Sequence, residues 1–182
     1  MKTWLCQGDS VTDCGRNRSV RDSLGNGYVS LLEKHLKQVQ IVNLGVSGER
    51  THDLIMRWSD DLLSIRPNIL TVLIGINNIW HQYLLNRPAY LFEFDHHLRW
   101  MLNEVKRHMP ECQVLLMTPF LLNCGVVQPP WFNELDHQIA VLNSIAKDYN
   151  LRLLNLQNLF KNINIAPALI AEDGVHPTVL GH

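Results

Sequence analysis

Little in this chain is extreme, and each thing it lacks narrows the field. No uncharged apolar stretch approaches the roughly 20 residues that a helix needs to cross a bilayer. Neither sign of charge dominates: 16 Lys and Arg stand against 17 Asp and Glu, for a net charge of -1. The electrostatic footprint of a nucleic-acid binder is therefore missing. Cysteine is sparse, at Cys6, Cys14, Cys112 and Cys124, and lacks the paired spacing of a metal site. A domain of this size does not need the four as bridges, so they read as reduced thiols of a cytoplasmic protein. No cationic leader followed by an apolar run opens the chain, and no signal peptide is expected. The Gly-x-Ser-x-Gly elbow of the α/β-hydrolases is absent, as are the Gly-x-Gly-x-x-Gly and Walker spacings of nucleotide binders. His96 and His97 adjoin, but neighbouring helical side chains diverge and no carboxylate-rich constellation accompanies them. No metal or other cofactor is expected.

Apolar residues make up 46% of the 182, enough for one domain over residues 1–182 with a real core. Five apolar runs read as strands: Thr3–Gln7, Gln40–Leu44, Ile69–Ile74, Gln113–Thr118 and Arg152–Leu156. Between them the period shifts to that of helices. Tyr28, Val29, Leu31, Leu32 and Leu36 suggest one stripe, and Leu54, Ile55, Trp58, Leu62 and Leu63 another. Longer helical patterns cover about Phe92–His108 and Asn133–Tyr149. Strands separated by helices favour a parallel sheet covered on both faces, an α/β doubly wound sandwich. Functional loops then gather at the carboxyl ends of the strands.

The chemistry falls at those ends. Ser10 follows the first strand in Gly8-Asp9-Ser10, and Asp173-Gly174-Val175-His176 lies far downstream. A serine hydroxyl needs an adjacent base, and the base needs an orienting acid, so Ser10, His176 and Asp173 make a candidate nucleophile, general base and orienter. Plainer readings stand beside these: Asp9 or Ser10 as a cap, and Asp173-Gly174 as a surface turn. Pro177 restricts His176 to extended backbone, which steadies such a loop. Acyl transfer also needs oxyanion donors. The Ser10 N–H is one candidate. Gly45, after the second strand, can bring a second amide close. Asn77, after the third, offers a side-chain amide or a plain Asx turn.

With these residues in hand, the chain resembles the SGNH hydrolase family, also called GDSL esterases and lipases. Four blocks carry the resemblance: Gly8-Asp9-Ser10-Val11-Thr12, Asn43-Leu44-Gly45-Val46-Ser47-Gly48, Gly75-Ile76-Asn77-Asn78 and Asp173-Gly174-Val175-His176-Pro177. The family's serine falls on Ser10, its oxyanion glycine on Gly45, its oxyanion asparagine on Asn77, and its acid and histidine on Asp173 and His176. The resemblance implies a flavodoxin-like three-layer α/β/α fold with a five-stranded parallel sheet. It also implies metal-independent hydrolysis of an ester or thioester through an acyl-enzyme. Two departures are visible. Asn78 stands where the family usually has aspartate. Relatives continue past the His-Pro-x-x-x-Gly-His segment into a terminal helix, for which this sequence holds no residues; a partner copy is one way to cover the resulting surface.

The Arg57-Trp58 and Asn78-Ile79-Trp80 patterns resemble family members acting on small acyl groups, some of them on acetylated carbohydrates. A small-molecule ester with a short acyl group is the expected substrate. A lysophospholipase or thioesterase, or a catalytically impaired binding or scaffold protein, remain as alternatives. Trp80, Trp131 and Phe132 fall near strand-end loops, where aromatic faces can stack on a sugar or simply pack. Trp58 and Trp100 read as core or helix-face residues. Val126–Trp131, with Pro129 and Pro130, reads as a rigid rim. Arg16 and Arg18 read as surface solvation, with anionic-substrate binding as the alternative.

Overall fold

A computed structural model describes all of residues 1–182. Five parallel strands, β1 (Lys2–Gly8), β2 (Val39–Asn43), β3 (Ile69–Leu73), β4 (Gln113–Met117) and β5 (Arg152–Leu154), form one sheet in the order β2-β1-β3-β4-β5. This is the doubly wound arrangement, with its switch point between β1 and β3. Registers such as Leu5 beside Val42 and Leu70 bring the carboxyl ends of the strands to one edge.

Alternation along the strands sorts the two faces. Leu5, Leu70, Val72 and Leu116 bury against α3 (Thr51–Ile65), α5 (Leu91–His108) and α6 (Pro129–Asp148), where Leu54, Trp58, Leu98, Met101 and Ile145 complete the main core. The indole N–H of Trp58 donates to the Met101 carbonyl at 3.0 Å and ties α3 to α5. On the opposite face Cys6 and Ile41 meet Val29 of α2 (Tyr28–His35). Leu73 and Met117 there meet Ile170 of α8 (Pro167–Ile170), with Phe160 of α7 (Leu156–Lys161) alongside. The three layers expected from the pattern are present.

Two expectations fall. Leu63 is exposed, because the buried stripe of α3 runs through Leu54, Trp58 and Leu62 at helical spacing. Pro129 and Pro130 do not form a rim; they open α6, where a missing N–H is harmless and a fixed φ suits the first turn. Trp131 is consequently carried inward and is fully buried. No helix of the chain is long and apolar enough to cross a membrane.

Candidate active site

β1 ends at Gly8 and the chain turns at once into the one-turn helix α1 (Ser10–Asp13). Asp9 caps it, its carboxyl accepting the Val11 N–H at 3.1 Å. Burial pushes the Asp9 carboxyl up to about 7, against the pull of the Val11 amide and the His176 charge. The cap reading of this segment is therefore true of Asp9, and it serves Ser10. Ser10 sits at the first helical position, where backbone geometry leaves the amide without an intrahelical partner.

Ser10 Oγ lies 2.8 Å from His176 Nε2, and His176 Nδ1 lies 2.6 Å from Asp173 Oδ2. The second Asp173 oxygen, Oδ1, accepts the N–H groups of Val175 at 2.9 Å and His176 at 2.8 Å. Asp173 thus serves the turn and the imidazole at once, one carboxylate oxygen for each. Burial alone would raise the Asp173 carboxyl. The imidazole and the two amides outweigh it and hold the group below its ordinary range. A carboxylate fixed this way selects the His176 tautomer with a proton on Nδ1, which leaves Nε2 free to take the serine proton.

α4 (Ile76–Leu84) begins where β3 ends and carries two adjacent asparagines. The Asn77 side-chain amide donates to the Glu49 carbonyl at 3.0 Å, which leaves its second N–H unused. Asn78 is tied to the start of α3: its oxygen accepts the Thr51 N–H and its amide donates to Thr51 Oγ1, both at 3.2 Å. A neutral amide fills that position with both of its polar ends satisfied.

Gly45 is not the free amide expected. Its N–H donates to Asn43 Oδ1 at 2.9 Å, and its Cα packs so closely on α1 that an added Cβ would lie 2.8 Å from the Thr12 backbone. It is a close-packing glycine. Three residues on, Gly48 has φ +85 and open space where a Cβ would be. Its amide makes no intramolecular hydrogen bond, and its neighbour Glu49 receives Asn77. The free backbone donor beside Asn77 is therefore that of Gly48, a residue of the same sequence block. The loop is pinned from below as well: Asp13 Oδ2 accepts from Ser47 N and Ser47 Oγ, both at 2.9 Å. Arg18 pairs with Asp13 at 2.6 Å and Arg16 donates to the Gly45 carbonyl at 2.9 Å. These arginines brace the site; they do not merely solvate the surface.

Trp80, one turn beyond Asn77, meets the His176 ring edge to face with centroids 5.6 Å apart. Trp131 lies behind Trp80 at 5.7 Å, and Tyr83 stacks on Trp131. Of the loop aromatics singled out in the sequence, Trp80 alone reaches the relay. Two spaces flank it. A recess of about 200 Å³, lined by Asp9, Val11, Leu73, Ile76, Phe120 and Val175 among others, lies behind the serine turn. An open hollow of about 690 Å³ is lined by Glu172, Asp173, His176 and Thr178, all polar. No group of three or more His, Cys, Asp or Glu side chains converges as a metal would require.

Comparison with known proteins identifies relatives along the whole chain. The family described as GDSL-like Lipase/Acylhydrolase matches residues 6–182. An acetylxylan esterase of Geobacillus stearothermophilus is 35% identical over 191 residues, taking in 96% of this chain and 86% of the relative. A solved structure of the acetyl xylan esterase Axe2 from that organism, a variant, superposes with a TM-score of 0.88 at 34% identity, covering 100% of this chain and 89% of its own. LAE5, an alpha/beta hydrolase from the metagenome of Lake Arreo, gives a TM-score of 0.88 at 27% identity with the same coverage. Other solved forms of Axe2 are catalytic mutants in which a serine, an aspartate or a histidine is replaced by alanine.

Proposed function

The chain belongs to the GDSL-like lipase/acylhydrolase family, and we propose that it is a serine esterase removing short acyl groups, acetyl above all, from a hydroxylated, sugar-like alcohol. The observation that carries the reaction is the continuous relay Ser10–His176–Asp173, with contacts of 2.8 and 2.6 Å. In the acetylxylan esterase relative, the aspartate and histidine whose replacement gives catalytic mutants lie three positions apart, as Asp173 and His176 do.

In this reading His176 Nε2 takes the proton of Ser10 Oγ as the oxygen attacks the acyl carbonyl. The developing oxyanion receives the Ser10 and Gly48 amides and the spare N–H of Asn77. The imidazolium, its charge stabilised by Asp173, then protonates the departing alcohol. Water enters and attacks the acyl carbonyl as it loses a proton to the same nitrogen, and the imidazolium returns that proton to Ser10 Oγ as the acyl–oxygen bond breaks and the acid leaves. No step needs a metal.

The two flanking spaces support the substrate class. The space behind the serine turn, between Asp9, Val11, Ile76 and Val175, is narrow, which suits a short acyl chain and disfavours a lysophospholipid. The hollow beside His176 presents carboxylate and hydroxyl groups, which suit sugar hydroxyls. The four unpaired cysteines fit a reducing compartment such as the cytoplasm.

The test is a nitrophenyl ester series from acetate to octanoate, run beside acetylated xylo-oligosaccharides, with Ser10→Ala as control. Acetyl esters should give the highest kcat/KM, and Ser10→Ala should lose both turnover and labelling by a fluorophosphonate. A maximum at octanoate would reject the short-acyl reading, and turnover surviving in Ser10→Ala would reject the nucleophile.

A further inference from the structure

One ion-pair cluster beneath the site takes no part in the chemistry described so far. Arg57 of α3 donates from Nε to both Glu49 carboxylate oxygens at 2.9 and 3.0 Å, and from Nη2 to Glu49 Oε2 at 2.6 Å. Its Nη1 donates to Gln7 Oε1 at 2.9 Å and pairs with Asp61. Gln7 Nε2 closes the ring onto Asp61 Oδ2 at 2.7 Å. The Arg57 and Glu49 side chains are 23% and 14% exposed, so water screens this pair far less than it would a surface pair.

Its connections set the cluster apart from an ordinary structural ion pair. Glu49 directly follows Gly48, whose amide is unbonded, and the Glu49 carbonyl accepts Asn77 Nδ2 at 3.0 Å. Gln7 is on β1, three residues before Ser10. One guanidinium therefore links, side chain to side chain, the strand that delivers the hydroxyl and the loop that carries the Gly48 amide and anchors Asn77. A rigid planar fork with several N–H groups fixes direction as well as distance, which a lysine ammonium does not.

We propose that Arg57 is a positioning residue for the oxyanion donors: by gripping Glu49 it sets the height of the 45–50 loop, and so aims the Gly48 amide and the Asn77 side chain at the substrate carbonyl oxygen. This role rests on the reading of Ser10, Gly48 and Asn77 given above. Its consequence is kinetic. A loop displaced by about 1 Å misses the oxyanion more than it misses the bound ester, so kcat suffers and KM does not.

The test compares Arg57→Lys and Glu49→Gln with the parent chain on an acetyl oxoester and its thionoester, with Ser10→Ala in parallel. A thiocarbonyl sulfur is a poor hydrogen-bond acceptor, so the thionoester draws little on the donors. Arg57→Lys should lower kcat on the oxoester about ten- to a hundredfold with KM within about threefold. Its loss on the thionoester should be much smaller, and the acid limb of the pH–rate profile should not move, since His176 is untouched. Glu49→Gln should show the same selectivity with a smaller loss. An unchanged kcat, or equal losses on the two esters, overturns the positioning role. Should Arg57→Lys fail to fold by circular dichroism, Glu49→Gln carries the same comparison with the same two outcomes. Turnover surviving in Ser10→Ala would instead remove the reading beneath the proposal. An inactive Ser10→Ala beside an undiminished Arg57→Lys would remove the role of Arg57 alone.

Discussion

Trp80 and His176 meet edge to face with ring centroids 5.6 Å apart, and fully buried Trp131 backs Trp80. The His176 side chain is 44% exposed, so nothing on its open side stops the ring from turning away from Ser10. Trp80 restrains it on the other. An aromatic pair of this kind contributes about 0.5–1.5 kcal/mol, so Trp80→Ala should cost about two- to tenfold in kcat/KM for a small acetate ester, and Trp80→Phe should recover much of it. Steady-state kinetics on nitrophenyl acetate check this. Identical losses in Ala and Phe would assign Trp80 to some task other than holding the ring.

Asp173 divides its oxygens between the turn and the imidazole, which makes Asp173→Asn informative. The amide oxygen can still accept the Val175 and His176 amides, so the turn should persist and the melting temperature should change little. The amide nitrogen then faces Nδ1 as a donor and imposes the wrong tautomer. A fall in kcat of about 10⁴-fold is expected, measured beside a thermal melt. A large drop in melting temperature with modest loss of kcat would make the residue structural first.

The two loop glycines should separate cleanly. An added Cβ at Gly45 would meet the Thr12 backbone at 2.8 Å, so Gly45→Ala should destabilise the fold by a few kcal/mol in urea unfolding. Gly48→Ala meets open space but must hold φ +85, at a cost of about 1–2 kcal/mol. Its penalty should fall more on kcat than on stability, because the strained residue carries the free amide. Asn77→Ala should lower kcat about 10²- to 10³-fold. Equal effects of the two glycine changes on rate and on stability would mean that the Gly48 amide does not act.

The strands could be read in advance because each is a short apolar run between helical periods, and every observed strand lies within a residue or two of its expected bounds. Ser10, Asp173 and His176 could be read because a nucleophile, a base and an acid each need a particular side chain. The loop amide that completes the oxyanion donors could not, because a backbone N–H has no residue type to announce it. Gly45 and Gly48 look alike in sequence, and only the Asn43 side chain, occupying the Gly45 N–H, distinguishes them. The same limit hid the Arg57–Glu49 pair, whose partners are eight positions apart and meet only after the loop folds back onto α3. The segment Val126–Trp131 was harder to read for a different reason: Pro129 and Pro130 suggest a stiff rim, but they open α6, and the core takes in Trp131.

Asp9 gives the chain a pH dependence whose direction can be worked out. Burial raises its carboxyl from the ordinary 3.8 to about 7. Between those values the folded chain holds a proton that the unfolded chain has released, so stability falls as pH rises through that window. The contribution is full below about pH 4 and is lost towards pH 7, on the order of 4 kcal/mol across the window. Asp173 works in the opposite sense, since its lowered carboxyl stabilises at higher pH and loses that effect on acidification. Asp9→Asn isolates the first contribution. Its oxygen still caps Val11, its amide imitates the protonated acid, and Asp173 is common to both proteins. The unfolding free energy of the variant minus that of the parent, from urea titrations at pH 4, 5.5, 7 and 8, should therefore rise with pH by a few kcal/mol and then level off. A flat difference would show that Asp9 stays ionised in the fold, with the Val11 amide and the His176 charge outweighing its burial.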